Sequence, residues 1–212
     1  MSMVSTIADH RVVLENISWS TYLAIIDDSG NRRGRIAYDR GVLEIMSPSK
    51  VHEQIKGLLG RMIEIFTEEL GIDICTVGST TFRREDVKRA IEADECYYIK
   101  NAPAVREKDD IDLAIDPPPD LAVEIDISRT SAWKLDIYGA LGIVEVWRYD
   151  GNAIHVYSHC GAGNYDEVER SRVLPTIPVS ELVQFLNRRA KHSETEIIRS
   201  FRAWVRQRFS TE

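Results

Sequence analysis

Residues 118–142, PPDLAVEIDISRTSAWKLDIYGALG, constrain the fold more than any other stretch of the chain. Prolines bound an apolar run that reads as a buried strand over 120–127. A helix from about Ser131 to Leu141 and a second strand, IVEVWRYD, follow it. Side chains alternate between the two faces of a strand, so Leu121, Val123, Ile125 and Ile127 share one face and must pack on a core. Ala122, Glu124, Asp126 and Ser128 share the other, with the two carboxylates roughly 6–7 Å apart along the backbone. Burying such a pair without compensation costs several kcal/mol per ion, so a partner cation is expected. Lys134, early in the next helix, is the nearest candidate, and Tyr138 four residues on shares its side of that helix.

The rest of the chain supplies the layers around this unit. Gly30 and Gly34 mark a turn, and RIAYDRGVLEIMS reads as a hairpin around Asp39-Arg40-Gly41. Ser49 is a helix N-cap candidate ahead of VHEQIKGLLGRMIEIFTEEL, whose apolar residues at 51, 55, 58, 59, 62, 66 and 70 form a helical stripe closed by Gly71. IDICTVGSTTF reads as a strand, DECYYI (94–99) as another, and KNAPAVREKDD as a polar connection. Asp150-Gly151 turns IVEVWRYD into the strand AIHVYSH, NYDEVERS adds one more, and helices near 180–191 and 194–209 finish the chain. Strands and helices interleave in the middle with hairpins outside, which predicts a single α/β domain over 1–212 built on a mixed sheet flanked by helices.

Composition narrows the class. With 212 residues and 43% hydrophobic content the chain has enough for one domain with a sizeable core. No stretch approaches the ~20 apolar residues of a membrane span, and no secretory signal is visible, so no membrane partner is expected. Cys75, Cys96 and Cys160 form no CxxC pair and fit a reducing cytoplasm. The net charge of −7 is uneven: from Ser180 onward seven basic residues face four acidic ones, leaving 20 basic against 30 acidic before it. An acidic body suits a hard divalent cation, and a basic tail can still meet nucleic acid locally.

A Mg²⁺ site takes one or two carboxylates and keeps several waters, so a neighbouring strand should assist Glu124. Asp120 lies about 13 Å along the strand, too far to share an ion. Asp94, opening DECYYI, is the better candidate because adjacent strands lie only ~4.8 Å apart. His155, His159 and Cys160 have no second pair of ligands nearby and do not read as zinc. GAG at 161–163 precedes no evident helix and reads as a loop, and the chain has no GxSxG, P-loop or HExxH. Arg199, Arg202 and Arg206 form a stripe on the last helix that reads first as a solvated face and otherwise as a nucleic-acid contact or dimer edge. Arg83 and Arg84 suit phosphate or plain surface equally, and Trp133 is a packing residue.

The segments GVLEIMSPSKVHEQI, GSTTFRRED, EADECYYIKNAP and IDLAIDPPPDLAVEIDISRTSAWKLDIYGALGIVEVWRYDG together resemble the Uma-two family of endonucleases in the restriction-endonuclease-like PD-(D/E)XK superfamily. The resemblance covers roughly residues 15–180, with a C-terminal helical extension over 180–210. It implies a restriction-endonuclease-like mixed central sheet flanked by helices, with extra hairpins and C-terminal helices. It also implies a Mg²⁺ or Mn²⁺ site held by Asp94 and Glu124, with Lys134 assisting the attacking water. His52, in the SP…HE stretch, faces the same site on this pattern, with Glu44 and Asp126 in support. Two departures stand out. Ala93 occupies the superfamily's proline position, and Asp126 stands where many superfamily nucleases keep their lysine, so the lysine has moved to the helix. The expected activity is metal-dependent hydrolysis of DNA phosphodiesters, and a homodimer is allowed because related nucleases often pair to cut both strands. The alternatives are a catalytically inactive nucleic-acid- or protein-binding module on the same fold and, more weakly, a hydrolase of small phosphates.

Overall fold

The computed structural model describes residues 9–28, 34–127 and 132–209; Gly30, Ser128 and Ser131, which the sequence reading used, lie outside them. In chain order the elements are β1 (His10–Leu14), α1 (Trp19–Asp28), β2 (Arg35–Asp39), β3 (Val42–Ser47), α2 (Lys50–Glu69), β4 (Cys75–Thr76), β5 (Thr81–Arg84), β6 (Arg89–Glu92), β7 (Glu95–Tyr98) and α3 (Ala102–Val105). There follow β8 (Leu121–Ile125), α4 (Lys134–Leu141), β9 (Glu145–Tyr149), β10 (Ile154–Gly161), β11 (Asn164–Val168), α5 (Val179–Leu186), a 3₁₀ turn (Asn187–Ala190) and α6 (Glu194–Phe209).

The central sheet is mixed and six-stranded, in the order β11-β10-β9-β8-β7-β4. Its parallel pair, β8 with β9, is joined through α4, as two parallel strands require a crossover. The other pairs in this sheet are antiparallel. A second, antiparallel sheet has the order β1-β3-β2-β6-β5. The two sheets are connected by short passages. IDICTVGSTTF is not one strand: β4 joins the central sheet and β5 the other, and Gly78, at φ 50°, turns the chain between them. Similarly, β6 ends in the second sheet and Ala93-Asp94 carries the chain into β7 of the first.

Each face of β8 meets a different core. Leu121, Val123 and Ile125 pack with Ile55, Leu58, Leu59 and Phe66 of α2, and with residues of α5 and α6. Ala122, on the opposite face, packs with Ile137, Tyr138 and Leu141 of α4 and with Ala37, Phe82 and Ile91 of the second sheet. α4 therefore lies between the two sheets. On the outer face of the second sheet, Trp19 and Tyr22 of α1 pack against Tyr38, whose ring stacks on Tyr22 with centroids 4.8 Å apart. The GAG loop does not contact solvent alone: a Cβ at Gly139 of α4 would stand 1.9 Å from the Gly163 carbonyl oxygen, so glycine is required there. Ser49 caps α2 by accepting the His52 N–H at 3.2 Å, and Gly71, at φ 64°, ends it.

Candidate active site

Glu124 sits mid-strand in β8 with its carboxylate toward α4. Lys134, the first residue of α4, donates to Glu124 Oε2 at 2.9 Å, and the Tyr138 hydroxyl one turn later donates to Oε1. The alternation of β8 and the four-residue spacing of α4 are enough to bring these three together.

Asp94 meets the same stretch of β8 from the side. Its N–H donates to the Val123 carbonyl at 3.1 Å, and its Oδ2 accepts the Ile125 N–H at 2.7 Å. Asp94 is thus pinned to the residues on both sides of Glu124. Its Oδ1 faces Arg35 Nε at 2.6 Å and His52 Nε2 at 2.8 Å. Arg35 also donates to the Ala93 carbonyl and reaches Glu53 at 3.0 Å. The other ring nitrogen of His52 lies 3.2 Å from Asp9, which also accepts the Ser49 N–H. Both partners of His52 are carboxylates, an arrangement that an imidazolium, with an N–H on each ring nitrogen, satisfies in full.

The two supporting acids sit to one side. Glu44 of β3 lies 3.6 Å from Arg11 and 4.0 Å from Lys134. Asp126 lies 3.7 Å from Arg11 and 3.8 Å from Arg148, and its N–H donates to the Tyr149 carbonyl. Asp94, Glu124, Lys134, His52, Glu44 and Asp126 are all buried, with 6% or less of their surface exposed. Asp120, set aside as too distant, instead accepts the N–H groups of Ile99 and Asn101 and orders the turn into α3.

Burial sets the electrostatics. It pushes the Glu124 carboxyl up; Lys134 and Tyr138 offset part of this, the charge of Asp94 adds to it, and the carboxyl stays above its ordinary value. Burial would lower Lys134, but the charges of Glu124 and Asp94 outweigh it and hold the amine above its ordinary value. Both partners therefore bind their protons more tightly than usual, Glu124 first through burial and Lys134 through the charges of Glu124 and Asp94. At Asp94 burial raises the pKa, but His52 and Arg35 prevail and keep it below the carboxylate range. For His52 burial is again outweighed, by Asp94 and then Asp9, and the ring is held above its ordinary value.

The donor set suits a hard divalent ion. Among the described residues no group of three or more His, Cys, Asp and Glu is gathered as a ready cage. Mg²⁺, however, binds through one or two carboxylates and keeps its waters. A carboxylate offers about four lone-pair sites, and the hydrogen bonds above use two on Asp94 and two on Glu124. The spare lone pairs of the two carboxylates fit a cation on chemical grounds.

Sequence reasoning did not find Arg35, Asp9, Arg11 or Arg148. The one available signal was an arginine inside two otherwise apolar strands, HRVVL and RIAYD. Of the other arginines singled out, Arg202 and Arg206 pair with Glu68 and Glu69 of α2, and Arg84 pairs with Asp86.

A mixed sheet flanked by helices, with an acid from each of two adjoining strand segments and a lysine on the crossover helix, defines a PD-(D/E)XK-like protein. The chain belongs to the Uma2 family: the model described as "Uma2: Putative restriction endonuclease" matches residues 19–191. Family membership puts it in a nuclease-like class. Its fold is similar to the crystal structure of a "putative nuclease belonging to DUF820" from Anabaena variabilis ATCC 29413, with a TM-score of 0.50 and 13% identity over 88% of this chain and 99% of that one. No curated protein matches significantly. Among the described residues, no helix is long and apolar enough to cross a membrane.

Proposed function

We propose that this chain is a Mg²⁺- or Mn²⁺-dependent endonuclease that hydrolyses phosphodiester bonds of DNA, with residues 1–212 acting as one domain. The supporting observation is that Asp94 and Lys134 both converge on the β8 residues around Glu124. Asp94 and Glu124 would hold the ion through carboxylate oxygens. When bound, the ion supplies Lewis-acid polarisation of the phosphoryl group and lowers the pKa of water.

The remaining work belongs to the chain. Lys134 spends one N–H on Glu124 and has two more to orient a water or a phosphate oxygen as negative charge develops. Tyr138 fixes the second oxygen of Glu124, so the carboxylate cannot turn away. His52 and Arg35 keep Asp94 ionised and stationary. The test is supercoiled plasmid with Mn²⁺: wild-type protein nicks it and Glu124→Ala does not. Equal background nicking by the two proteins removes the catalytic claim.

One observation favours a second reading, a binding module without catalysis: Lys134 and Arg35 already neutralise the two principal acids. That module binds DNA without metal, and Asp94→Asn leaves its affinity unchanged. Calorimetry with Mn²⁺ separates the readings, because only the nuclease loses its binding heat in Asp94→Asn.

A further inference from the structure

Beyond Glu124 the buried charges alternate in sign: Glu124, Lys134, Glu44, Arg11, Asp126 and Arg148. Successive separations are 2.9, 4.0, 3.6, 3.7 and 3.8 Å, so only the first is a hydrogen bond. Three cations and three anions leave the row neutral.

Arg11 is the exception in this row. Its side chain is only 8% exposed, yet among the described residues none of its N–H groups has an acceptor within hydrogen-bonding distance, and Nε has no partner at all. A guanidinium is charged at every accessible pH, and burying one without hydrogen bonds is costly. Its planar fork matches the two oxygens of a carboxylate or phosphate. Neither neighbouring acid takes that geometry. Glu44 and Asp126 flank the fork from two sides and leave its donors unspent.

β1 is the edge of the second sheet, and Val13, paired with Glu44 across the strands, shares the face of Arg11. Val13 is 54% exposed, and Val42 on the same face is 38% exposed. Arg11 thus stands beside the edge of the sheet, separated from Lys134 by the one carboxylate of Glu44.

We infer that Arg11 is the receptor for the phosphate next to the scissile one, its fork taking the two non-bridging oxygens while Lys134 serves the scissile group. This rests on the nuclease reading and adds a second, non-reacting contact to it. The flanking acids keep the fork compensated while it is empty and are the reason a neutral row can accept an anion once a divalent ion is seated.

The test is binding of a short DNA duplex to the full chain across a salt series, with Ca²⁺ replacing Mg²⁺. Arg11→Gln should weaken binding about tenfold and reduce the slope of log affinity against log salt by about 0.9, the value of one phosphate contact. Arg11→Lys should recover the slope, since the charge returns, but not the full affinity, since the fork does not. If Arg11→Gln does not fold, Arg11→Lys alone decides: weaker binding at an unchanged slope supports the receptor, and wild-type affinity overturns it. Wild-type slope and affinity in Arg11→Gln, with plasmid nicking by the wild type intact, overturn this inference and leave the nuclease reading standing. A second Mn²⁺ bound by Arg11→Gln in calorimetry also overturns it, because the guanidinium would then be standing in for an ion. Wild-type protein that neither binds nor nicks DNA overturns both readings together.

Discussion

Glu124 and Lys134 neutralise each other while both are buried, and that makes each dangerous to remove alone. Cutting one member of a buried pair leaves an uncompensated charge and costs about 3–5 kcal/mol, whereas replacing both with groups of similar volume is often neutral. Lys134→Met should therefore lower the unfolding free energy read from a urea titration by an amount in that range, at unchanged slope. Glu124→Gln in the Lys134→Met background should recover most of it, because the amide oxygen of the new side chain still accepts the Tyr138 hydroxyl. A double variant no more stable than the single one would show that the pair is not the source of the loss. The recovered protein should still fail to nick plasmid, which separates folding from the proposed chemistry. At this scale Glu124, Lys134 and Tyr138 are legible in the sequence because one alternation and one helical spacing relate them. The partners of Asp94 are not: Arg35 lies 59 residues from it and His52 lies 42, and no local period links such positions.

The hairpin of β9 and β10 carries a lock that titrates. Asp150 opens the turn by accepting the Asn152 and Ala153 N–H groups, each at 2.8 Å, and His155 sits between Asp150 at 3.1 Å and Glu167 of β11 at 2.7 Å. Burial pushes Asp150 up, but the two backbone donors and His155 outweigh it and bring it to about 2. The hydrogen bonds to Glu167 and then Asp150 raise His155 above its ordinary value. A lowered acid stabilises above its unfolded pKa and loses this as pH falls through the folded one. A raised histidine stabilises below its unfolded pKa and loses this as pH rises through the folded one. Both contributions are complete only between about pH 4 and pH 6.5. Hydrogen exchange, corrected for intrinsic rates, should show β10 amides most protected in that window. Glu167→Gln should shrink the loss of protection above that window, because the folded pKa of His155 falls back toward the unfolded one, and protection that is level from acid to alkaline pH in the wild type would dispose of the lock. The Asp150-Gly151 turn itself is plain in the sequence, since its signal is local. β6 is not, because the charges flanking a four-residue strand conceal its alternation; β1 is a five-residue strand, and α1 is short, its one local signal being Ser18, which caps it by accepting the Thr21 N–H at 3.1 Å.

For the whole molecule, the hydrophobic pattern distinguishes strands from helices but does not say which strand pairs with which. The β8–α4–β9 unit was readable because a helix between two strands calls for a parallel pair. The division into two sheets was not, because it turns on Gly78 and on the Ala93-Asp94 passage, where a few residues redirect the chain. The C-terminus raises the same question of partnership. The family match ends at residue 191, yet α6 packs along α2, and Ile197, Ile198, Phe201 and Val205 belong to the same buried cluster as Leu58 and Phe66. Burial of four such side chains at about 1.5–3 kcal/mol each amounts to roughly 6–12 kcal/mol. That is comparable to the roughly 5–15 kcal/mol by which domains are stable at all. A chain ending at residue 191 should therefore lose cooperative unfolding and expose apolar surface along α2. The ion pairs between the two helices are a minor part of this, since exposed pairs contribute about 0–1 kcal/mol each. Arg202→Ala with Arg206→Ala should accordingly melt close to the full chain, while the truncation should not give a folded baseline. A truncated chain that unfolds with the midpoint and slope of the full one would make α6 an appendage and place the real boundary of the core before it.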